Sequence, residues 1–189
     1  MRTETTTRTL YTFAELSDEA QQHALEKLWD LNVDHDWWYC SYEAITTAAR
    51  CLGIDCKVEG FALDRGAHVA LSGRYRYRKN WRATLRAEFG GDILSDLEAT
   101  GAWLQAAQKP VFWSGRATLE PGRDGTRYSA DADYGNQNDV NFLIGALRDF
   151  EHWAWRLLRD EYGYLTSYDA IKETIEANGY EFDANGDLA

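Results

Sequence analysis

The stretch 55–89, DCKVEGFALDRGAHVALSGRYRYRKNWRATLRAEF, decides the fold class, because there the spacing of apolar residues changes from every third or fourth position to every second. Residues 55–63 (DCKVEGFAL), 67–79 (AHVALSGRYRYRK) and 81–89 (WRATLRAEF) read as three consecutive strands of an antiparallel meander. In the second, His68, Ala70, Ser72, Arg74, Arg76 and Arg78 share one face, and Val69, Leu71, Gly73, Tyr75 and Tyr77 share the other. In the third, Trp81, Ala83, Leu85, Ala87 and Phe89 oppose Arg82, Thr84, Arg86 and Glu88. The reading therefore places Arg74, Arg76, Arg78, Arg82 and Arg86 on one open face, with Tyr75, Tyr77, Trp81 and Leu85 in the core.

Upstream, residues 7–13 (TRTLYTF) read as a short strand, and Ser17 before Asp18 and Glu19 marks a helix start. Ala20, Ala24, Leu28 and Leu31 follow on one stripe, ending at Asn32. A second helix is expected from Asp36 as its cap, carrying Trp38, Tyr42, Ile45, Ala49 and Leu52, with Gly53 as its stop. Downstream, Gly90 and Gly91 break the meander, and 92–108 returns to helical spacing before Pro110. Segments 111–120 and 126–134, joined by PGRDG, form a hairpin. Residues 138–162 make the longest helix, with Val140, Leu143, Leu147, Phe150, Ala154 and Leu157 on one side and Trp153 and Trp155 widening the apolar face. A last helix runs from Ser167 to Asn178-Gly179, followed by a short terminal strand or tail. The expectation is one α+β domain over 1–189: a helical hairpin at 17–53, an antiparallel sheet of about five strands at 54–134 with an inserted helix at 92–108, and C-terminal helices at 138–178, packed mainly on one face.

Composition narrows the function classes. The chain has 189 residues, 44% hydrophobic and 27% charged, near globular averages, with no apolar run long enough to span a bilayer. Residues 1–16 lack the apolar core of a signal peptide, and three cysteines, Cys40, Cys51 and Cys56, favour a reducing compartment, so a cytoplasmic location is expected. The net charge of −11 opposes indiscriminate attraction to nucleic acid or anionic lipid. Yet residues 65–86 hold seven basic side chains and no acid, leaving 13 basic against 31 acidic elsewhere. A cationic centre thus lies between anionic ends.

Two constellations stand out. The arginine face reads either as a solvated surface neutralised by Asp131 and Asp133 of the later hairpin, or as a nucleic-acid or acidic-partner site. Asp34, His35 and Asp36 offer two carboxylates around an imidazole, but adjacent residues rarely aim at one point, and capping is the better use of Asp36. Cys51 and Cys56 are too far apart for a common zinc pair, His23, His35, His68 and His152 are scattered, and Asp183, Asn185 and Asp187 read as a turn rather than a calcium loop. No phosphate-cradling glycine loop, nucleophile elbow or paired histidine motif is present. No enzyme activity, metal or cofactor is expected.

The runs ELSDEAQQHALEKL (15–28), DHDWWY (34–39), GFALDRGAHVALSGRYRYRK (60–79) and LTSYDAIKETIEANGYEFDANGDLA (165–189) together resemble small phage and prophage proteins labelled antitoxin of a toxin–antitoxin stability system. The most specific parts are SDEA at 17–20, Asp-x-Asp-Trp-Trp at 34–38 and ETIEANGYEF at 173–182. The resemblance implies a phage-borne accessory protein and carries over no catalytic residue. With the acidic composition, it points to stoichiometric protein binding in a bacterial host cell: an anti-CRISPR-like inhibitor of a defence complex that occupies a basic nucleic-acid groove, or an antitoxin masking a toxin protein. The expected partner-binding residues are Glu26, Asp30, Trp37, Trp155, Asp160 and Glu161; the alternative is nucleic-acid binding through the arginine face.

Overall fold

Capping chemistry and strand alternation set the elements of the computed structural model, in which residues 8–64, 67–90, 113–133 and 135–189 are described. In chain order they are β1 (Tyr11–Thr12), a 3-10 turn at Phe13–Glu15, α1 (Asp18–Lys27), α2 (Tyr39–Leu52), β2 (Ile54–Ala62) and β3 (His68–Arg76). These are followed by α3 (Trp81–Phe89), β4 (Arg116–Gly122), β5 (Gly125–Asp131), α4 (Gln137–Leu165), α5 (Tyr168–Asn178) and β6 (Glu181–Phe182). The fold class is α+β, as the sequence predicts. The chain divides into two compact units: an end unit built from the segments up to Trp37 and from Asp160 onward, and a sheet unit, Trp38–Arg159. The expected helical hairpin is therefore split, with α1 in one unit and α2 in the other.

In the end unit, Ser17 caps α1 by accepting from the Ala20 amide at 3.3 Å, and Ser167 does the same for α5 through Ala170. β1 and β6 pair antiparallel, Tyr11 opposite Phe182, so the two ends of the chain close one small sheet. The expected strand at 7–13 is shorter because Thr12 donates its amide to Glu15 Oε2 at 2.8 Å and starts a turn instead. Phe13, Leu16, Ala20, Ala24, Ile171, Ile175 and Phe182 are buried together, with Phe13 and Phe182 edge to face at 6.2 Å. Leu28 and Leu31 pack against this core although α1 ends at Lys27, earlier than Asn32. The terminal residues form the expected turn: Asp183 Oδ1 accepts the amides of Asn185 and Asp187. Asp187 in turn accepts from Lys27 Nζ at 2.5 Å and lies 3.0 Å from His23 Nε2, which holds its carboxyl below the usual range.

Asp36 does not cap α2. The Trp37 amide donates to the His35 carbonyl at 2.7 Å, a tight turn that leaves Asp36 exposed ahead of the helix, and α2 starts at Tyr39 after Trp38 with no side-chain cap.

In the sheet unit the strand order is β2-β3-β4-β5, all antiparallel. Its inner face buries Ile54, Val69, Leu71, Tyr75, Ala117 and Leu119, and α2 buries Ile45, Ala49 and Leu52. α4 is tied to the sheet by Tyr128 Oη, which donates to Glu151 Oε2 at 2.5 Å, and by Trp155 Nε1, which donates to the Ala62 carbonyl at 3.0 Å. Asn136 starts α4 by accepting the amides of Asn138 and Asp139, while Asp139 Oδ2 accepts the Asn136 amide. The helix buries Leu143, Leu147, Phe150, Trp153, Ala154 and Leu158; Leu158 takes the core position expected of Leu157.

The sheet itself is smaller than expected. Residues 81–89 are a helix, not a strand, so the main sheet has four strands. WRATLRAEF alternates, but Trp81, Leu85 and Phe89 are also spaced by four, and Ala, Leu, Arg and Glu are strong helix formers. The expected helix at 92–108 and its stop at Pro110 lie outside the described residues. The hairpin is present, its turn tightened to Arg123-Asp124 between the paired Gly122 and Gly125. Among the described residues no helix is long and apolar enough to cross a membrane.

Candidate functional site

The two units divide the charge unequally. The end unit holds sixteen acidic against four basic residues, −12; the sheet unit holds fifteen against sixteen, +1. All of the excess negative charge therefore belongs to the end unit. Glu26, Asp30, Asp160 and Glu161 are exposed there. The loop that carries Asp30 is held against the end of α4 by Asn32 Nδ2, which donates to the Leu165 carbonyl at 3.0 Å, and by Trp37, whose ring lies 5.5 Å from that of Tyr162. Residues more than 120 positions apart in sequence thus meet on one surface.

The end unit also exposes aromatic groups the sequence reading missed. Trp29 is 52% exposed, Tyr164 58% and Tyr168 49%, and Tyr168 Oη accepts from Gln22 Nε2 at 3.0 Å. A cavity of about 290 Å³ opens beside Tyr164, lined also by Asn32, Leu165, Ala170 and Thr174. Trp29 follows the end of α1 at Lys27, so its exposure is set by the turn after the helix and not by the helical stripe. Trp37 is half-buried. Trp155, expected among the partner-binding residues, is engaged within the sheet unit: His152 stacks on it at 5.6 Å, Arg159 lies 5.1 Å from its ring centre and its N–H is bonded to Ala62.

The five arginines of the expected face are all exposed, with Tyr75 (2%) and Leu85 (0%) buried and Tyr77 and Trp81 intermediate. They do not share one sheet face. Arg74 and Arg76 lie on β3; Arg78 lies beyond it and donates to the Arg50 carbonyl at 2.7 Å, closing the end of α2; Arg82 and Arg86 lie on α3. The sheet adds Arg116, opposite both Arg76 and Asp131 in register, with Asp133 Oδ2 at 3.8 Å from its Nη2. A second row joins Asp55, Arg74, Thr118 and Ser129. Together they line an open groove of about 600 Å³.

A smaller polar cavity of about 360 Å³ is lined by His68, Asp124, Thr126, Arg148, Glu151 and His152. Glu151 accepts from Tyr128 Oη with one oxygen and from the Thr126 amide with the other. Burial, and then the charge of Glu151, push the Tyr128 phenol up, so it remains a neutral donor. Both carboxylate oxygens are engaged, and the network joins α4 to β5. Asp34, His35 and Asp36 are exposed, with His35 Nδ1 3.2 Å from Asp34 Oδ1. Among the described residues no group of three His, Cys, Asp or Glu side chains is arranged to hold a metal ion.

The cysteines are free: Cys40 is exposed, Cys51 buried and Cys56 half-buried. Burial, with the neighbouring Asp55 charge, pushes the Cys56 thiol up to about 12. At pH 8 its thiolate fraction is then on the order of one in ten thousand. Iodoacetamide at that pH is expected to alkylate Cys40 first and leave Cys56 unmodified, as read by peptide mass; early labelling of Cys56 would contradict its burial.

Compared with protein-family models, curated proteins and solved structures, the chain finds no match in any of the three.

Proposed function

We propose that this chain is a stoichiometric binding protein of phage type that docks through its end unit onto a basic, nucleic-acid-binding surface of a host protein. The observation that supports this reading is the partition of charge: −12 on the end unit against +1 on the sheet unit. Such a field steers association with a cationic partner. Exposed Trp29, Tyr164 and Tyr168 within that field supply the rigid aromatic anchors that give interfaces their binding energy, with carboxylates forming the rim. A bacterial defence effector is the partner class we favour, and a toxin with a basic groove would be engaged by the same chemistry.

The test is capture from a bacterial host lysate using the tagged full chain, with two charge-reversed variants of unchanged melting. Wild type and the pair Arg74→Glu and Arg76→Glu are expected to retain one nucleic-acid-binding protein, less of it as salt rises. The set Glu26→Lys, Asp30→Lys, Asp160→Lys and Glu161→Lys is expected to lose about tenfold or more of it, chiefly through a slower on-rate. Identification of the captured protein separates defence effector from toxin. Loss in the arginine pair with wild-type capture by the acidic set would replace this reading with nucleic-acid binding by the sheet unit.

A further inference from the structure

Three guanidinium groups stand together on the open face of the sheet, where strand chemistry disfavours them. Arg76 and Arg116 are direct partners across β3 and β4. Like charges placed directly opposite destabilise an antiparallel pair. Arg74 adds a third cation two residues along the same face of β3. Asp133 lies 3.8 Å from Arg116, at the outer limit of an ion pair and well exposed. Among the described residues neither Arg74 nor Arg76 has an ion pair or a side-chain hydrogen bond. Asp55 opposite Arg74 and Asp131 opposite Arg116 offset part of this charge, so the direct opposition of Arg76 and Arg116 is what remains, a local conflict of the kind found at functional sites.

The surroundings define what would compensate. Thr118 and Ser129 stand in the row of Arg74, and Asp55 and Asp131 stand at the two sides of the groove. Its volume of about 600 Å³ is that of a small-molecule site. A phosphate dianion presents several oxygens to guanidinium forks and removes the repulsion between Arg76 and Arg116. Carboxylates accept hydrogen bonds from hydroxyl groups and repel further phosphates. A long polyanion would have to pass both of them, whereas a ligand with one phosphate and several hydroxyls ends between them.

We infer that this groove binds a small phosphorylated sugar, as a mononucleotide or a sugar phosphate, with the phosphate bridging Arg74, Arg76 and Arg116 and sugar hydroxyls donating to Asp131, the carboxylate beside Arg116. The inference is independent of the docking reading, because every residue it uses belongs to the sheet unit.

Calorimetric titration of the full chain at low salt with AMP, ribose 5-phosphate and inorganic phosphate tests it. AMP, ribose 5-phosphate or both are expected to bind one to one and about tenfold tighter than inorganic phosphate. The tighter of the two identifies the source. Arg76→Gln is expected to weaken every ligand about tenfold while melting at or above the wild-type temperature, since it removes a like-charge contact. Arg74→Gln repeats the test at a second position. Asp131→Asn is expected to remove the advantage of the organic ligands, with inorganic phosphate binding as tightly as before or tighter because a repelling carboxylate beside Arg116 is gone. Absence of saturable binding, or binding that Arg76→Gln and Arg74→Gln leave intact, would overturn the inference. So would tight binding of oligothymidylate without binding of AMP or ribose 5-phosphate.

Discussion

Trp153→Ala is expected to lower the unfolding free energy by about 3–5 kcal/mol, the cost of deleting a fully buried large aromatic side chain and leaving its cavity. Trp153 is 1% exposed and its ring lies 5.4 Å from that of Phe150, one turn back on α4. Domains of this size hold only about 5–15 kcal/mol in reserve, so the variant should unfold at much lower urea concentration. Trp155→Ala is the control on the same helix. Trp155 is half-buried, and the change removes one hydrogen bond to Ala62 and the contacts with His152 and Arg159. Its cost should be less than half that of Trp153→Ala. Urea unfolding followed by far-UV circular dichroism distinguishes the two, and equal losses would mean that the helix presents a different face to the sheet.

That contrast shows where the sequence was legible and where it was not. Signals confined to a few neighbours were readable: Ser17 and Ser167 as helix starts, Gly53 and Gly179 as stops, and a hairpin turn within PGRDG at 121–125. Each depends on one side chain or one backbone angle. The segment 81–89 was not, because nine residues satisfy both a period of two and a spacing of four, and only the placement of Leu85 in the core decides between them. Trp153 and Trp155 both widen the apolar side of α4, so their different fates depend on the approach of β2, whose Ala62 carbonyl claims the Trp155 N–H. The candidate surfaces lie one level further from the sequence. Acidic ends were countable, but their union into one unit follows from the pairing of β1 with β6. The opposition of Arg76 and Arg116 follows from a register between strands forty residues apart, which no local pattern specifies.

Gly53→Ala is the second large effect expected, and it joins stability to the groove. Gly53 ends α2 at φ +88°, a left-handed backbone that costs a side-chain-bearing residue about 1–2 kcal/mol on its own. A Cβ at this position would stand 2.2 Å from the Arg76 carbonyl oxygen and 3.2 Å from the Arg78 amide nitrogen. No rotamer relieves a clash between Cβ and backbone, so α2 and the end of β3 must move apart. The Arg76 amide, which donates to the Gly53 carbonyl at 2.9 Å, loses its partner in that movement. Arg76 then leaves its position opposite Arg116, and AMP or ribose 5-phosphate should bind the variant about tenfold more weakly even where it remains folded. Gly60→Ala is the matched control: a Cβ there meets nothing within 4 Å and the backbone is not left-handed, so stability and binding should both remain near wild type. Urea unfolding and calorimetric titration of both variants check the pair of effects. If Gly53→Ala unfolds with Gly60→Ala, the close approach of α2 to β3 is absent, and the positioning of Arg76 in the groove falls with it.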